Sequence, residues 1–203
     1  MIQASDPRLV LASASSSRAA LLRAAGLVFT AEAAHVDETA LKAAAQAEGI
    51  PAADTAVMLA DAKAQRLSRR YPEALVIGGD QMLVCEDHWF DKPADMAAAR
   101  AQLEALRGRT HALPTALVCW REGQRIWHHV ATPKLTMRGF SDALLEAYLE
   151  IEGEAVLHSV GGYRIEGPGL QLFERIEGAQ DAILGLPMLP LLGFLRQHGV
   201  LAG

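Results

Sequence analysis

Asp80 follows an uninterrupted apolar run, Ala74-Leu75-Val76-Ile77-Gly78-Gly79. Such a run reads as a buried strand, and a carboxylate at the C-terminal end of a buried strand is a common component of α/β active sites. The two glycines before it allow close backbone approach. The competing reading is a helix cap or turn aspartate, but Met82-Leu83-Val84-Cys85 continues as strand with no helix start. A second carboxylate stands at Glu38, within Asp37-Glu38-Thr39. An isolated acidic pair ahead of a helix is more often the helix's acidic first turn. Paired with Asp80, Glu38 would make a two-carboxylate set for a divalent cation, with phosphates and water completing its shell.

Cations and hydroxyls suited to phosphate lie elsewhere along the chain. Leu11-Ala12-Ser13-Ala14-Ser15-Ser16-Ser17-Arg18 runs from a strand-like segment through serines into a helix. A helix N-terminus offers free backbone N–H groups and the positive end of its dipole. Ser13, Ser15 and Arg18 add donors matched to phosphate oxygens; a simple helix cap explains the serines equally well. Lys63 and Lys92, taken singly, read as solvated surface lysines; with Arg18 they would neutralise a triphosphate. In Gly161-Gly162-Tyr163-Arg164-Ile165-Glu166-Gly167-Pro168-Gly169 the glycines suit either close passage to a ligand or an irregular surface loop. Glu166 there offers a carboxylate to a guanine N1–H and amino group. The histidines show no zinc spacing, and GxGxxG, Walker A and GxSxG motifs are missing. Dehydrogenase, P-loop kinase and α/β-hydrolase readings therefore find no support.

The elements that must position these residues alternate along the chain. Strands are expected at Leu9–Ser13 and Ala74–Gly79, and a hairpin from Thr115–Trp120 to Ile126–Val130 around Arg121-Glu122-Gly123-Gln124. Helices are expected at Ser17–Ala25, Ala40–Glu48, Ala52–Arg70, Ala94–Leu106, Ser141–Glu150 and Leu189–Gln197, and a further strand at Leu170–Ile176. This mixture predicts an α/β fold, a mixed twisted sheet flanked by helices. The 203 residues suit a single domain, and an apolar fraction of 51% excludes a disordered chain. A net charge of −5 argues against a nucleic-acid polymer as partner. No window has the uncharged apolar length of a membrane span. Two cysteines without CxxC spacing, and an N-terminus unlike a signal peptide, predict a cytoplasmic protein.

In order, Leu11-Ala12-Ser13-x-Ser15 with Arg18-x-x-Leu21-Leu22, Asp37-Glu38, Lys63-Ala64, Gly79-Asp80-Gln81, Lys92-Pro93, Gly108-Arg109-Thr110-His111, Thr115, Gly161-Gly162-Tyr163, Glu177-Gly178 and Gly185-Leu186-Pro187 resemble the Maf family of nucleoside triphosphate pyrophosphatases. The resemblance runs from Leu9 to about Gly199. It implies a metal-dependent cytoplasmic enzyme, often dimeric, that cuts a nucleoside triphosphate into monophosphate and pyrophosphate. The implied fold is the Maf/inosine-triphosphate-pyrophosphatase type, one domain over 1–203 whose sheet is split into two lobes around a nucleotide cleft. Asp80 and Glu38 would be catalytic and hold Mg²⁺ or Mn²⁺. Ser13, Ser15, Arg18, Lys63 and Lys92 would bind phosphates, and Ser17, Gln81 and Glu166 would set specificity. Where the family commonly has Ser-Pro-Arg-Arg this chain has Ser15-Ser16-Ser17-Arg18, and Ser159 stands where many dTTP/UTP-type members carry lysine. Gln81 with Glu166, and Phe173-Glu174-Arg175-Ile176-Glu177-Gly178, are similar to the branch that hydrolyses 7-methyl-GTP. A nucleotide-binding regulator of cell division with little turnover is the other function this resemblance admits.

Overall fold

The computed structural model describes residues 2–203. In chain order its elements are β1 (Leu9–Ala12), α1 (Ser16–Ala24), β2 (Phe29–Ala31), α2 (Glu38–Ala47), α3 (Ala52–Ser68), β3 (Leu75–Gln81), β4 (Leu83–Cys85), β5 (His88–Phe90) and α4 (Met96–Leu106). There follow β6 (Thr110–Ala112), β7 (Thr115–Arg121), β8 (Gln124–Ala131), β9 (Lys134–Met137), α5 (Asp142–Glu152), β10 (Phe173–Glu177), α6 (Gln180–Ile183) and α7 (Met188–Gln197). Short 3₁₀ turns fill the stretch between α5 and β10. The α/β expectation holds, with the strands divided between two five-stranded sheets.

The chain forms two compact units. One comprises the described residues up to Gln81, together with Pro114–Thr132 and Ala179–Gly203. Its sheet has the order β2-β1-β3-β7-β8. β1 and β3 pair in parallel, whereas β3 and β7 pair antiparallel, which places Asp80 opposite Ala116 and Gln81 opposite Thr115. The sheet is therefore mixed, as expected. β3 is central and buried over Leu75–Asp80, which is why it reads as a continuous apolar run rather than an alternation. Leu9, Leu11, Leu22, Leu75, Ile77, Leu117, Leu191 and Phe194 form a shared core between this sheet, α1 and α7.

The other unit comprises Met82–Leu113 and Pro133–Gly178. Its antiparallel sheet has the order β10-β9-β6-β4-β5. The strands β2, β5, β6 and β9 went unforeseen; each has only three or four residues, too few to show a period. Leu170–Leu172, expected as strand, belong to a 3₁₀ turn that starts at Pro168, and β10 begins only at Phe173. Proline's fixed φ favours the turn. A Cβ at Gly169 would lie 2.3 Å from the Arg164 carbonyl oxygen, so the chain folds back on itself there.

Inside this unit His111 is 2% exposed. Its Nε2 lies 2.7 Å from the Tyr163 hydroxyl, and its ring packs near Tyr163 and Phe173. Nδ1 has no hydrogen-bond partner among the described residues. Burial lowers the His111 pKa from 6.5 to about 4. A histidine buried neutral takes up its proton more readily when unfolded. Between pH 6.5 and 4 the unfolded state therefore binds more protons, and stability falls as pH falls through that window. The shift corresponds to roughly 3 kcal/mol lost by pH 4, with no penalty above pH 7. His111→Gln, which keeps a hydrogen-bonding partner for Tyr163 without titrating, is expected to lose less stability than the parent between pH 7 and 4.5. Urea unfolding of both proteins at the two pH values measures the difference; equal losses would remove His111 as the cause.

Candidate active site

In the first unit the candidate site begins with a close approach. A Cβ on Gly78 would fall 2.4 Å from the Ala60 carbonyl oxygen and 2.8 Å from the Ala64 Cβ. Only glycine lets α3 lie this near β3. That proximity carries Lys63, next to Ala64, onto the end of β3. The Lys63 Nζ donates to Asp80 Oδ1 at 2.5 Å and forms an ion pair with Glu38 Oε1 at 2.8 Å. Lys63 is 8% exposed and Asp80 is 5% exposed. The surface reading of Lys63 is thereby corrected: its helix face is covered by the sheet, and the ammonium is stable there because two carboxylates meet it.

Asp37 and Glu38 divide the two roles read for their pair. The Asp37 carboxylate caps α2 by accepting the Ala40 N–H at 2.9 Å. Glu38, in the first turn, turns to Lys63. The serine turn divides likewise. Ser15 is the N-cap of α1, accepting the Arg18 N–H at 3.3 Å. The Ser13 hydroxyl oxygen accepts from the Ser15 N–H and from an Arg18 Nη1–H, each at 3.2 Å. Both hydroxyls keep a proton to donate. Ser17, in the first turn of α1, is partly exposed.

Arg18 leans on the backbone of Gly79, where a Cβ would come within 3.4 Å of its Nε. Its Nε–H donates to the Gly185 carbonyl at 2.8 Å. Burial pushes the guanidinium below its usual pKa, and the charges of Asp80 and Glu38 act in the opposite direction. The group stays protonated at neutral pH. Two cations and two anions thus share one small region, in balance.

Gln81 continues β3. Its Nε2 donates to Thr115 Oγ1 at 2.8 Å and to the Ala182 and Ile183 carbonyls at 3.1 and 3.0 Å. The buried Thr115 hydroxyl donates in turn to the Ala182 carbonyl at 3.1 Å. These carbonyls, and that of Gly185, are site components that side-chain reasoning missed; the Gly185-Leu186-Pro187 motif was the available signal. Lys92 and Glu166 belong to the second unit and are exposed. The Glu166 carboxylate lies 3.5 Å from Arg164 Nε, and Arg164 also pairs with Glu152 at 3.0 Å.

A family model for Maf-like proteins matches residues 8–198. The chain belongs to the Maf family. This Maf chain is 57% identical to a protein of Granulibacter bethesdensis named nucleoside triphosphate pyrophosphatase, over 96% of the chain and 98% of that relative. A protein of Rhodospirillum rubrum with the same name is also 57% identical, with 96% of each chain covered. A 7-methyl-GTP pyrophosphatase of Rhizobium meliloti is 48% identical over 96% of the chain and 98% of the relative. The two-sheet α/β architecture agrees with the Maf fold.

Removing the ammonium while keeping the carboxylates tests the balance of charge at this Maf site. Lys63→Met is expected to lose about 3–5 kcal/mol of stability, the cost of breaking a buried pair. Adding Asp80→Asn to that variant should recover much of the loss, because the buried charge is then gone. A double-mutant cycle by urea denaturation measures it; additive effects would mean that the two side chains do not interact.

Proposed function

We propose that this Maf protein hydrolyses nucleoside triphosphates between the α- and β-phosphates, releasing a nucleoside monophosphate and pyrophosphate. The observation that carries the reading is the buried Asp80–Lys63 pair, joined by the half-exposed Glu38, with Arg18 beside it. The relatives' names support it. In this reading Lys63 and Arg18 bind phosphate oxygens with the Ser13 and Ser15 hydroxyls, and Lys92 adds a further cation. A triphosphate would compete with Asp80 for the Lys63 ammonium. As the ammonium turns to phosphate, Asp80 is left free to accept a proton from the attacking water. Arg18, held by Gly185 and Ser13, offsets the charge that gathers on the leaving pyrophosphate.

The donor set suits a divalent cation. Asp80 and Glu38 converge on one cationic point, and hard oxygen ligands of this kind serve Mg²⁺ or Mn²⁺ when phosphates and water complete the shell. No group of three or more His, Cys, Asp or Glu side chains suited to a metal exists among the described residues, so the substrate's own oxygens are needed. When bound, the ion supplies Lewis-acid polarisation of the phosphoryl oxygens.

For the base, we assign recognition to Gln81, Glu166 and Ser17, with guanine nucleotides such as 7-methyl-GTP favoured. The name of the Rhizobium meliloti relative supports this branch. A carboxylate accepts from the guanine N1–H and amino group, whereas a uracil or thymine edge would set a carbonyl against it. The working setting is the cytoplasm, with free nucleotides as partners, a homodimer as the assembly and no nucleic-acid polymer or membrane involved. Among the described residues no helix is long and apolar enough to cross a membrane.

Pyrophosphate release with Mn²⁺, measured over 7-methyl-GTP, GTP, dTTP and UTP, tests the whole reading. Turnover of at least one of these is expected, with the guanine nucleotides ahead in kcat/KM and the gap narrowed by Glu166→Gln. Binding without turnover would favour a regulatory protein instead. Asp80→Asn is expected to lower kcat by at least ~100-fold while nucleotide binding persists. A variant that keeps half of the parent's rate would take Asp80 out of the chemistry.

A further inference from the structure

Three residues of the candidate site are held by backbone carbonyls of one short turn. The Gly185 carbonyl accepts from Arg18, the Ala182 carbonyl from Gln81 and Thr115, and the Ile183 carbonyl from Gln81. Where those carbonyls point is decided by what closes the turn. The Asp181 Oδ1 accepts the Ala182 N–H at 2.8 Å, and Oδ2 accepts the Met188 N–H at 2.7 Å. The Asp181 carbonyl accepts the Leu186 N–H at 2.9 Å. One residue thus ties both ends of the 181–188 segment.

The chemistry favours a carboxylate here. Met188 begins α7, whose N-cap residue Pro187 provides no side-chain acceptor. A negative group at that end meets free N–H groups and the positive end of the helix dipole, and both bonds are charge-assisted. The turn itself has little freedom. Gly185 has φ +96°, and a Cβ there would come within 3.1 Å of Arg18 Nε. Glycine alone satisfies both conditions, and its carbonyl is left aimed at Arg18.

We propose that Asp181 is a positioning residue: by closing the 181–188 turn it fixes Arg18 for the triphosphate and Gln81 for the base. It needs no contact with substrate. The proposal rests on the pyrophosphatase reading for its kinetic consequences, but not for its structural one.

The test compares Asp181→Asn with the parent and with Ser141→Ala. Asparagine keeps one oxygen but sets an amide NH₂ against the second N–H. Ser141 caps α5 through the Leu144 N–H and belongs to the other unit, so its loss costs a cap without touching this turn. The first readout is solvent exchange of the Arg18 Nε–H proton by NMR, assigned through its disappearance in Arg18→Lys. The second is KM, kcat and the GTP-to-UTP ratio of kcat/KM. In Asp181→Asn, Arg18 exchange is expected to quicken by about tenfold, the loss of roughly one hydrogen bond. KM should rise and kcat should fall, because Arg18 meets both the bound triphosphate and the leaving pyrophosphate, and the nucleotide ratio should fall. Asp181→Ser, which retains a single acceptor, should be intermediate, and it takes the place of the asparagine variant if that one does not fold. Ser141→Ala should lower the melting temperature alone. Unchanged Arg18 exchange, equal quickening in Ser141→Ala, or faster exchange with KM and the ratio unmoved would each overturn the proposal. If the parent cleaves no nucleoside triphosphate, the pyrophosphatase reading falls, and Arg18 exchange still decides whether Asp181 holds the turn.

Discussion

A lysine removed from water is tolerated only when its charge is met, and Lys63 meets two carboxylates. The surrounding architecture follows from that need. Asp80 must sit at the end of a buried central strand, and α3 must pack tightly enough to deliver the ammonium there. Tight packing in turn excludes any side chain at Gly78. Glu38 must enter from the first turn of α2, which leaves the capping of that helix to its neighbour Asp37. Arg18 adds a second cation whose burial is unfavourable by itself and which the same two carboxylates offset. The cluster is neutral as a set, so an incoming polyanion disturbs its balance. In the proposed function, the Lys63–Asp80 ion pair is the one for which a triphosphate would compete.

Around the charged cluster lies a layer of backbone. Ser13 and Ser15 keep the strand-to-helix turn in shape while their hydroxyls face Arg18 and the α1 N-terminus. The carbonyls of residues 182, 183 and 185 hold Gln81, Thr115 and Arg18. Backbone dipoles that are already oriented need not reorganise when charge moves, which is the general reason that catalytic sites employ them.

Much of this was legible in the sequence, and the physical reasons for the gaps differ. The strand that carries Asp80 showed itself because burial on both faces forces a continuous apolar run. The long helix α3 showed itself through the three- and four-residue spacing of its apolar side chains, and α4 through the glycine, Gly108, that closes it. The short strands β5, β6 and β9 did not, since three or four residues carry no period, and β6 pairs with partners distant in the chain. Lys63 read as a surface residue because helix propensity is silent on what covers a helix face; the small residues Gly78, Ala60 and Ala64 were the trace of close packing. The bonds from Gln81 and Arg18 to the carbonyls of residues 182, 183 and 185 left only the Gly185-Leu186-Pro187 motif as a signal, because every residue possesses a main-chain oxygen and residue type does not mark it.

The bond from Arg18 to Gly185 joins residues separated by 167 positions. The first unit is assembled from three separate stretches of chain, the last beginning at Ala179. During synthesis β1 and α1 therefore emerge long before the turn that completes them. At 5–20 residues per second the interval is roughly 8–33 s, far longer than local folding events take. Through that interval Arg18 lacks its main-chain acceptor, and the strand-to-helix turn that carries it stays unfinished. The site is thus completed last: a ribosome-bound fragment can pair β2, β1 and β3 in parallel and still lack the carbonyls that hold Gln81 and Arg18.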